Sequence, residues 1–217
     1  MNKIYVNLLF IFLTVFITVF SVSCSRSEPV ITFGFIKLVL YPGENEPQET
    51  FSFFIIPEDN DGFENLDELF LYHDKEQLRW HIRNDEWIRH TADGKDWIGS
   101  RSITLEEGSL PRGVFRAVLV NKGGESSERS FTYDGIPRYP FPELHIENGV
   151  YIINSHWPIN RLVCYDSAGN YTNTVNLSDK TGSVSQLRLP SSARMAALWA
   201  EDEANFCSAF TDVLPLN

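Results

Sequence analysis

Leu69-Phe70-Leu71-Tyr72-His73, a turn at Asp74 to Gln77, and Leu78-Arg79-Trp80-His81-Ile82-Arg83 form the stretch that decides the fold. The second segment alternates with a period of two. Leu78, Trp80 and Ile82 fall on one face, and Arg79, His81 and Arg83 on the other, as a half-buried strand requires. Strand signals of this kind recur every 8 to 12 residues between turn residues, and helical periodicity is nearly absent after residue 24. Val30 to Tyr41 is rich in β-branched and aromatic residues and stops at Pro42-Gly43. Phe51 to Ile56 follows and ends at Pro57. Trp87-Ile88 and Trp97-Ile98 flank the turn Asp93-Gly94 and read as a hairpin. Val114 to Val120 and Ser130 to Tyr133 bracket the turn Asn121 to Gly124.

The run from Leu110 through Gly113, Phe115 and Ala117 into the turn at Asn121 resembles the closing hairpin of immunoglobulin-like and fibronectin-type domains, where a Gly-x-Tyr-x-Ala run enters a strand ending at an Asn/Gly turn. The resemblance covers residues 30–134 and implies a β-sandwich. Phe115 stands in the tyrosine position, so the corner hydrogen bond of that hydroxyl is expected to be missing. The likeness carries no activity, because this fold hosts many unrelated functions.

Pro137, Pro140 and Pro142 lie close together within residues 135–142, and by fixing φ they predict an extended, stiff connector. A smaller β-rich domain is expected over 143–217. Its candidate strands are Leu144 to Ile146, Val150 to Asn154, Arg161 to Tyr165, Tyr171 to Asn176, Val184 to Leu189, Met195 to Ala200 and Phe206 to Thr211. Its turns are Asn148-Gly149, Asp166 to Asn170 and Asp179 to Gly182. No internal repeat relates the two halves. The expected fold class is thus all-β, an immunoglobulin-like sandwich followed by a smaller β-rich domain.

At the N-terminus, Lys3 precedes an uncharged apolar run from Ile4 to Phe20, and Ser21, Val22 and Ser23 lead into Cys24. That is the layout of an export signal over residues 1–23. Its ending in a cysteine resembles the lipobox of bacterial lipoproteins, although Ser21 stands where Leu is usual. The resemblance implies that Cys24 is acylated and becomes the first mature residue, with 24–29 as a lipid-anchored tether. The partner implied is a membrane, and the location is the bacterial cell envelope, outside the cytoplasm.

Cleavage before Cys24 leaves 194 residues with 17 Lys and Arg against 29 Asp and Glu, a net charge of −12. A chain this acidic is repelled by nucleic acid, since phosphate binding depends on clustered Lys and Arg. At 43% hydrophobic and 13% aromatic, the chain has ample material for a core.

Cys164 and Cys207 remain, an even pair in a compartment that permits a disulfide. Two thiols packed as small hydrophobes fit the same spacing. Asp59, Asp61 and Glu68 fall at the third, fifth and twelfth places of the helix-loop-helix calcium template when Gly62 takes the sixth. Pro57 and Glu64 break that template, which leaves a looser calcium site in a sandwich loop. His73, His81, His90, His145 and His156 show no metal-ligand spacing.

Trp80 belongs with the core, because it shares a face with Leu78 and Ile82. Trp87, Trp97, Trp157 and Trp199 are open to either a core or a ligand platform, and Tyr72 could join an aromatic platform for a sugar. No nucleophile elbow, phosphate-binding loop or dinucleotide fingerprint occurs. The expected function is a non-catalytic binding module for a protein or glycan, without a cofactor. A structural envelope component and a hydrolase with an unrecognised site are the alternatives.

Overall fold

The computed structural model describes residues 27–216. The export signal expected over 1–23 and the acylation expected at Cys24 lie outside the described residues. The first half supplies β1 (Val30–Tyr41), β2 (Gln48–Glu58), β3 (Leu66–His73), β4 (Leu78–Arg83), β5 (Ile88–Ala92), β6 (Lys95–Ile103), β7 (Gly113–Asn121) and β8 (Ser126–Tyr133). One sheet of this sandwich runs β4-β3-β7-β8 and the other β1-β2-β6-β5. The β3–β4 hairpin pairs Leu71 with Trp80 and His73 with Leu78, as alternation requires. Between these strands Asp74–Glu76 makes a 3-10 turn that Gln77 closes in the left-handed conformation. Phe51, Phe53, Ile55, Leu69, Leu71, Ile98, Phe115 and Leu119 interdigitate between the sheets with no exposed surface. Phe115 has no hydroxyl to bond. Its ring packs edge-on against Phe51 at 5.5 Å and against His73 at 4.8 Å instead.

The second half supplies β9 (Glu143–Glu147), β10 (Val150–Asn154), β11 (Ile159–Tyr165), β12 (Tyr171–Asn176), β13 (Thr181–Ser183), β14 (Met195–Asp202), β15 (Cys207–Phe210) and β16 (Leu214–Pro215). Val184–Leu187 is a 3-10 turn, not the strand expected over Val184 to Leu189, and β13 forms within the stretch expected to be a turn. Val184 and Leu187, three residues apart, both pack on the second core, which is the face a 3-10 turn presents.

Strand order β12-β11-β14-β15 repeats β4-β3-β7-β8 position for position, and β13-β10-β9 repeats β6-β2-β1. The two halves therefore share one topology, a relation with no counterpart in the sequence. The turns do not follow this correspondence: the 3-10 turn Glu203–Asn205, closed by Phe206 at φ 51°, joins β14 to β15, whereas Asp74–Glu76, closed by Gln77 at φ 55°, joins β3 to β4, the counterparts of β11 and β12.

The connector at 135–142 does not hold the halves apart. Residues Cys207–Ala209 of β15 pair in parallel with Leu38–Leu40 of β1, so one nine-stranded sheet runs across both sandwiches, with β14 and β15 beside β1, β2, β6 and β5. Each half keeps its own core, the second built on Leu144, Tyr151, Ile153, Leu162 and Leu198. Trp157, Ala200, Cys207 and Ala209 nevertheless pack into the first core, and the Trp157 indole N–H donates to the carbonyl of Pro140 at 2.8 Å. The stiff proline segment lies against the join rather than projecting the second half away.

Candidate functional site

β1 reads Val-Ile-Thr-Phe-Gly-Phe-Ile-Lys-Leu-Val-Leu-Tyr, apolar on both faces. Ile36, Leu38 and Leu40 point into the core, and Phe33, Phe35, Lys37, Val39 and Tyr41 point outward. A sheet face left to solvent normally carries polar side chains. Here the outward face of the shared sheet is aromatic. Phe54 from β2, Trp97 from β6, Trp199 from β14 and Phe210 from β15 join the residues of β1 along a trough of about 510 Å³.

The rings form two groups. Trp97 meets Phe33 edge-on at 5.8 Å and Phe35 at 5.6 Å, and Phe35 stacks on Phe54 at 6.0 Å. Across the join, Tyr41 of the first half meets Phe210 of the second at 6.1 Å. Both halves thus supply the trough, and neither would form it alone.

Charges organise the second group. The Glu201 carboxylate, only 7% exposed, accepts from the ammonium of Lys37 on β1 and the guanidinium of Arg161 on β11. Both cations lie 5.3 Å from the centre of the Trp199 ring. Glu201 therefore satisfies the two cations and fixes them against the indole, where cation–π attraction holds the ring in place. At the rim, Arg101 and His90 are exposed, and the Arg101 guanidinium has no hydrogen-bond or ion-pair partner among the described residues. A recess of about 420 Å³ opens between Gly34, Tyr133 and Phe206. Phe131 closes on Gly34 there, and the Tyr133 hydroxyl is committed to the join.

Of the expected aromatic platform, only Trp97 and Trp199 reach this face. The Trp80 indole N–H donates to the Thr104 carbonyl at 2.8 Å and its ring packs on the first core. Trp87 packs on Phe63 at 6.3 Å, and Trp157 is buried. Tyr72 lies on the other sheet under Arg116 at 4.6 Å. Phe33, Phe35, Phe54 and Phe210 were missed as site residues. The signal was present in β1, whose apolar run lacks the polar alternation of β4.

The calcium set does not converge. Asp59 accepts from the Asp61 backbone N–H at 2.8 Å and from Asn65 at 3.1 Å, whereas Asp61 accepts from the Ser27 backbone N–H at 3.1 Å. Glu68 turns away on β3 to pair with His81 at 3.0 Å. The acidic loop holds the entering chain, and Asn121 donates to the Ser27 carbonyl from the opposite side at 2.9 Å. No group of three or more His, Cys, Asp or Glu side chains gathers as a metal site among the described residues. Of the remaining histidines, His73 is buried beside Phe115, His145 lies 3.8 Å from Glu143, and His156 is exposed.

Cys164 and Cys207 are free and buried, so of the two readings their spacing allowed, the pair of packed thiols is the one seen and the disulfide is not formed. Cys164 lies opposite Ala196 and Cys207 opposite Asp202, on the two flanks of β14. Six residues along a strand separate those levels by about 20 Å, far beyond the roughly 6 Å a disulfide spans between Cα atoms. Burial pushes the Cys164 thiol up to about 11 and raises Cys207 as well.

No family model matches the chain, and no curated protein matches it. Solved structures match the chain only at low identity and low structural similarity. The 47-kilodalton lipoprotein Tp47 of Treponema pallidum is 11% identical with a TM-score of 0.42, over 87% of this chain and 51% of that one. Dimeric latent PorU of Porphyromonas gingivalis is 13% identical with a TM-score of 0.33, over 88% of this chain and 20% of that one. The complex of Dpr11 IG1 with DIP-gamma IG+IG2 gives 13% identity and a TM-score of 0.25, over 85% and 99%. The chain thus spans about half the length of the first of these.

Proposed function

We propose that the protein is a non-catalytic binding module, tethered by an acylated Cys24 outside the cytoplasm of a bacterium, and that its ligand lies in the aromatic trough. The observation that carries this is the outward face of β1, where Phe33, Phe35, Val39 and Tyr41 occupy positions a solvated sheet gives to polar residues. Contiguous exposed apolar surface of this kind marks interaction sites. Ser27 is pinned at the Asp59–Asp61 end of the first sandwich, and the second sandwich joins β1 from Leu38 onward. Along a strand those points are about 36 Å apart, so a tether at Cys24 puts the second sandwich on the distal side.

The test places a photo-cross-linking residue at His90 on the trough rim and, as control, at Ser130 on the outer face of the other sheet, in cells making the full chain. The expected result is a heavier adduct at His90 alone. Equal adducts at both positions, or none at either, would overturn the trough as the binding site.

A further inference from the structure

We infer that the occupant of the trough is an acidic polysaccharide, such as a polyuronate chain, a reading that rests on the trough being the binding site. Three observations converge on it. The first is length. Trough residues come from six adjacent strands, β5-β6-β2-β1-β15-β14, which at about 4.8 Å per strand gives a track of roughly 24 Å. A track of that length suits a polymer better than a single small molecule.

The second is the chemistry of the floor. A pyranose ring presents a C–H face that stacks on an aromatic ring while its hydroxyls stay at the rim in water, as Trp97, Phe35, Tyr41 and Trp199 allow. A polypeptide laid on the same floor would desolvate its backbone amides against rings with no compensating partner. Along most of the trough it could not pair as an added strand either, because β1, β2, β6, β14 and β15 each have a neighbour on both sides and only β5 is an edge of the shared sheet.

The third is charge. The chain as a whole carries −11, yet the trough lining sets Lys37 and Arg101 against a single carboxylate, Asp93, and the exposed Arg101 guanidinium has no acidic partner among the described residues. Glu201, the acid beneath the trough, is already held by Lys37 and Arg161. A free guanidinium recognises a carboxylate by paired, charge-assisted hydrogen bonds. A uronic acid combines that carboxylate with a stackable ring face.

Affinity electrophoresis of the purified full-length protein in detergent tests the inference, with polygalacturonate and neutral dextran as probes. Polygalacturonate is expected to retard the protein and dextran to have far less effect. Arg101→Gln and Trp97→Ala should each weaken polygalacturonate binding roughly tenfold or more. Arg83→Gln, an exposed arginine on β4, should leave it unchanged. Because Arg101 is exposed, its replacement is expected to leave the fold intact, with an unchanged circular dichroism spectrum as the check. Equal retardation by the two polysaccharides, or retardation untouched by Arg101→Gln, overturns the proposal. So does the absence of polysaccharide binding alongside a specific adduct at His90, an outcome that keeps the binding module and reassigns its ligand to a protein or lipid.

Discussion

The Tyr133 hydroxyl lies 3.1 Å from the Cys207 thiol, a buried contact between β8 of the first sandwich and β15 of the second. The same hydroxyl donates to the Phe206 carbonyl at 3.3 Å. Burial raises its pKa well above the ordinary tyrosine value, so it remains a protonated donor across the physiological range. Tyr133→Phe removes that donor from a closed site, and we expect a loss of about 1 kcal/mol in urea unfolding. Both tryptophan fluorescence and circular dichroism should show one coincident transition, since the shared sheet couples the halves. Two separated transitions would contradict the coupling.

Thiol chemistry follows from burial. Neither Cys164 nor Cys207 should react with iodoacetamide at pH 8 in the folded protein, and both should react in denaturant, because the thiolate is the reactive form and burial disfavours it. Intact mass measured without reductant should show both thiols free. A mass two hydrogens lower would restore the bridge.

Glu201 should be the most sensitive charge in the trough. Glu201→Gln leaves Lys37 and Arg161 close together without their shared acid. Their side chains keep 19% and 24% of their exposure. The expected loss is about 2 kcal/mol, below the roughly 3–5 kcal/mol of a fully buried broken pair. Trp199 emission should shift at the same time, since both cations sit against its ring. Unchanged emission and stability would show that the three charges act independently of the indole.

Gly99 lets β6 approach β2. A Cβ there would come 2.0 Å from the Phe53 carbonyl oxygen, which is backbone and cannot swing aside. Gly99→Ala should cost about 2 kcal/mol or more by overpacking, lowering the thermal midpoint measured by calorimetry. A neutral result would mean that β6 can slide without cost.

Acid sensitivity has a predictable sign at Asp96. The Thr91 hydroxyl and then the Arg89 guanidinium donate to its carboxylate and hold its pKa below the usual 3.8. A lowered folded pKa contributes stability that is complete above the unfolded value and is lost as pH falls through the folded one. Asp96→Asn should therefore lower the thermal midpoint slightly at pH 6 and leave it unchanged near pH 2. The reverse order would assign the acid response elsewhere.

The strands were legible wherever alternation and turn chemistry agreed. β4 was read from its two-residue period, β5 and β6 from the Asp93-Gly94 turn, and β1 from its β-branched and aromatic run ended by Pro42. Val184–Leu187 escaped because a spacing of three in a short apolar segment can be filed under either period. The trough was half visible. Trp97 stood out as a large aromatic near a turn, but the phenylalanines of β1 did not, because a run apolar on both faces does not announce which face is uncovered.

The sequence by itself determined the all-β class, the strand positions and the acidic character, because side-chain alternation, turn residues and charge are local properties. Only the tertiary structure decided that the two halves share one topology, that β15 joins β1, that the cysteines stand about 20 Å apart, and that rings from both halves line one trough. Those relations depend on pairings between residues some 170 positions apart, such as Leu38 and Cys207, and no local pattern encodes the partner of an edge strand.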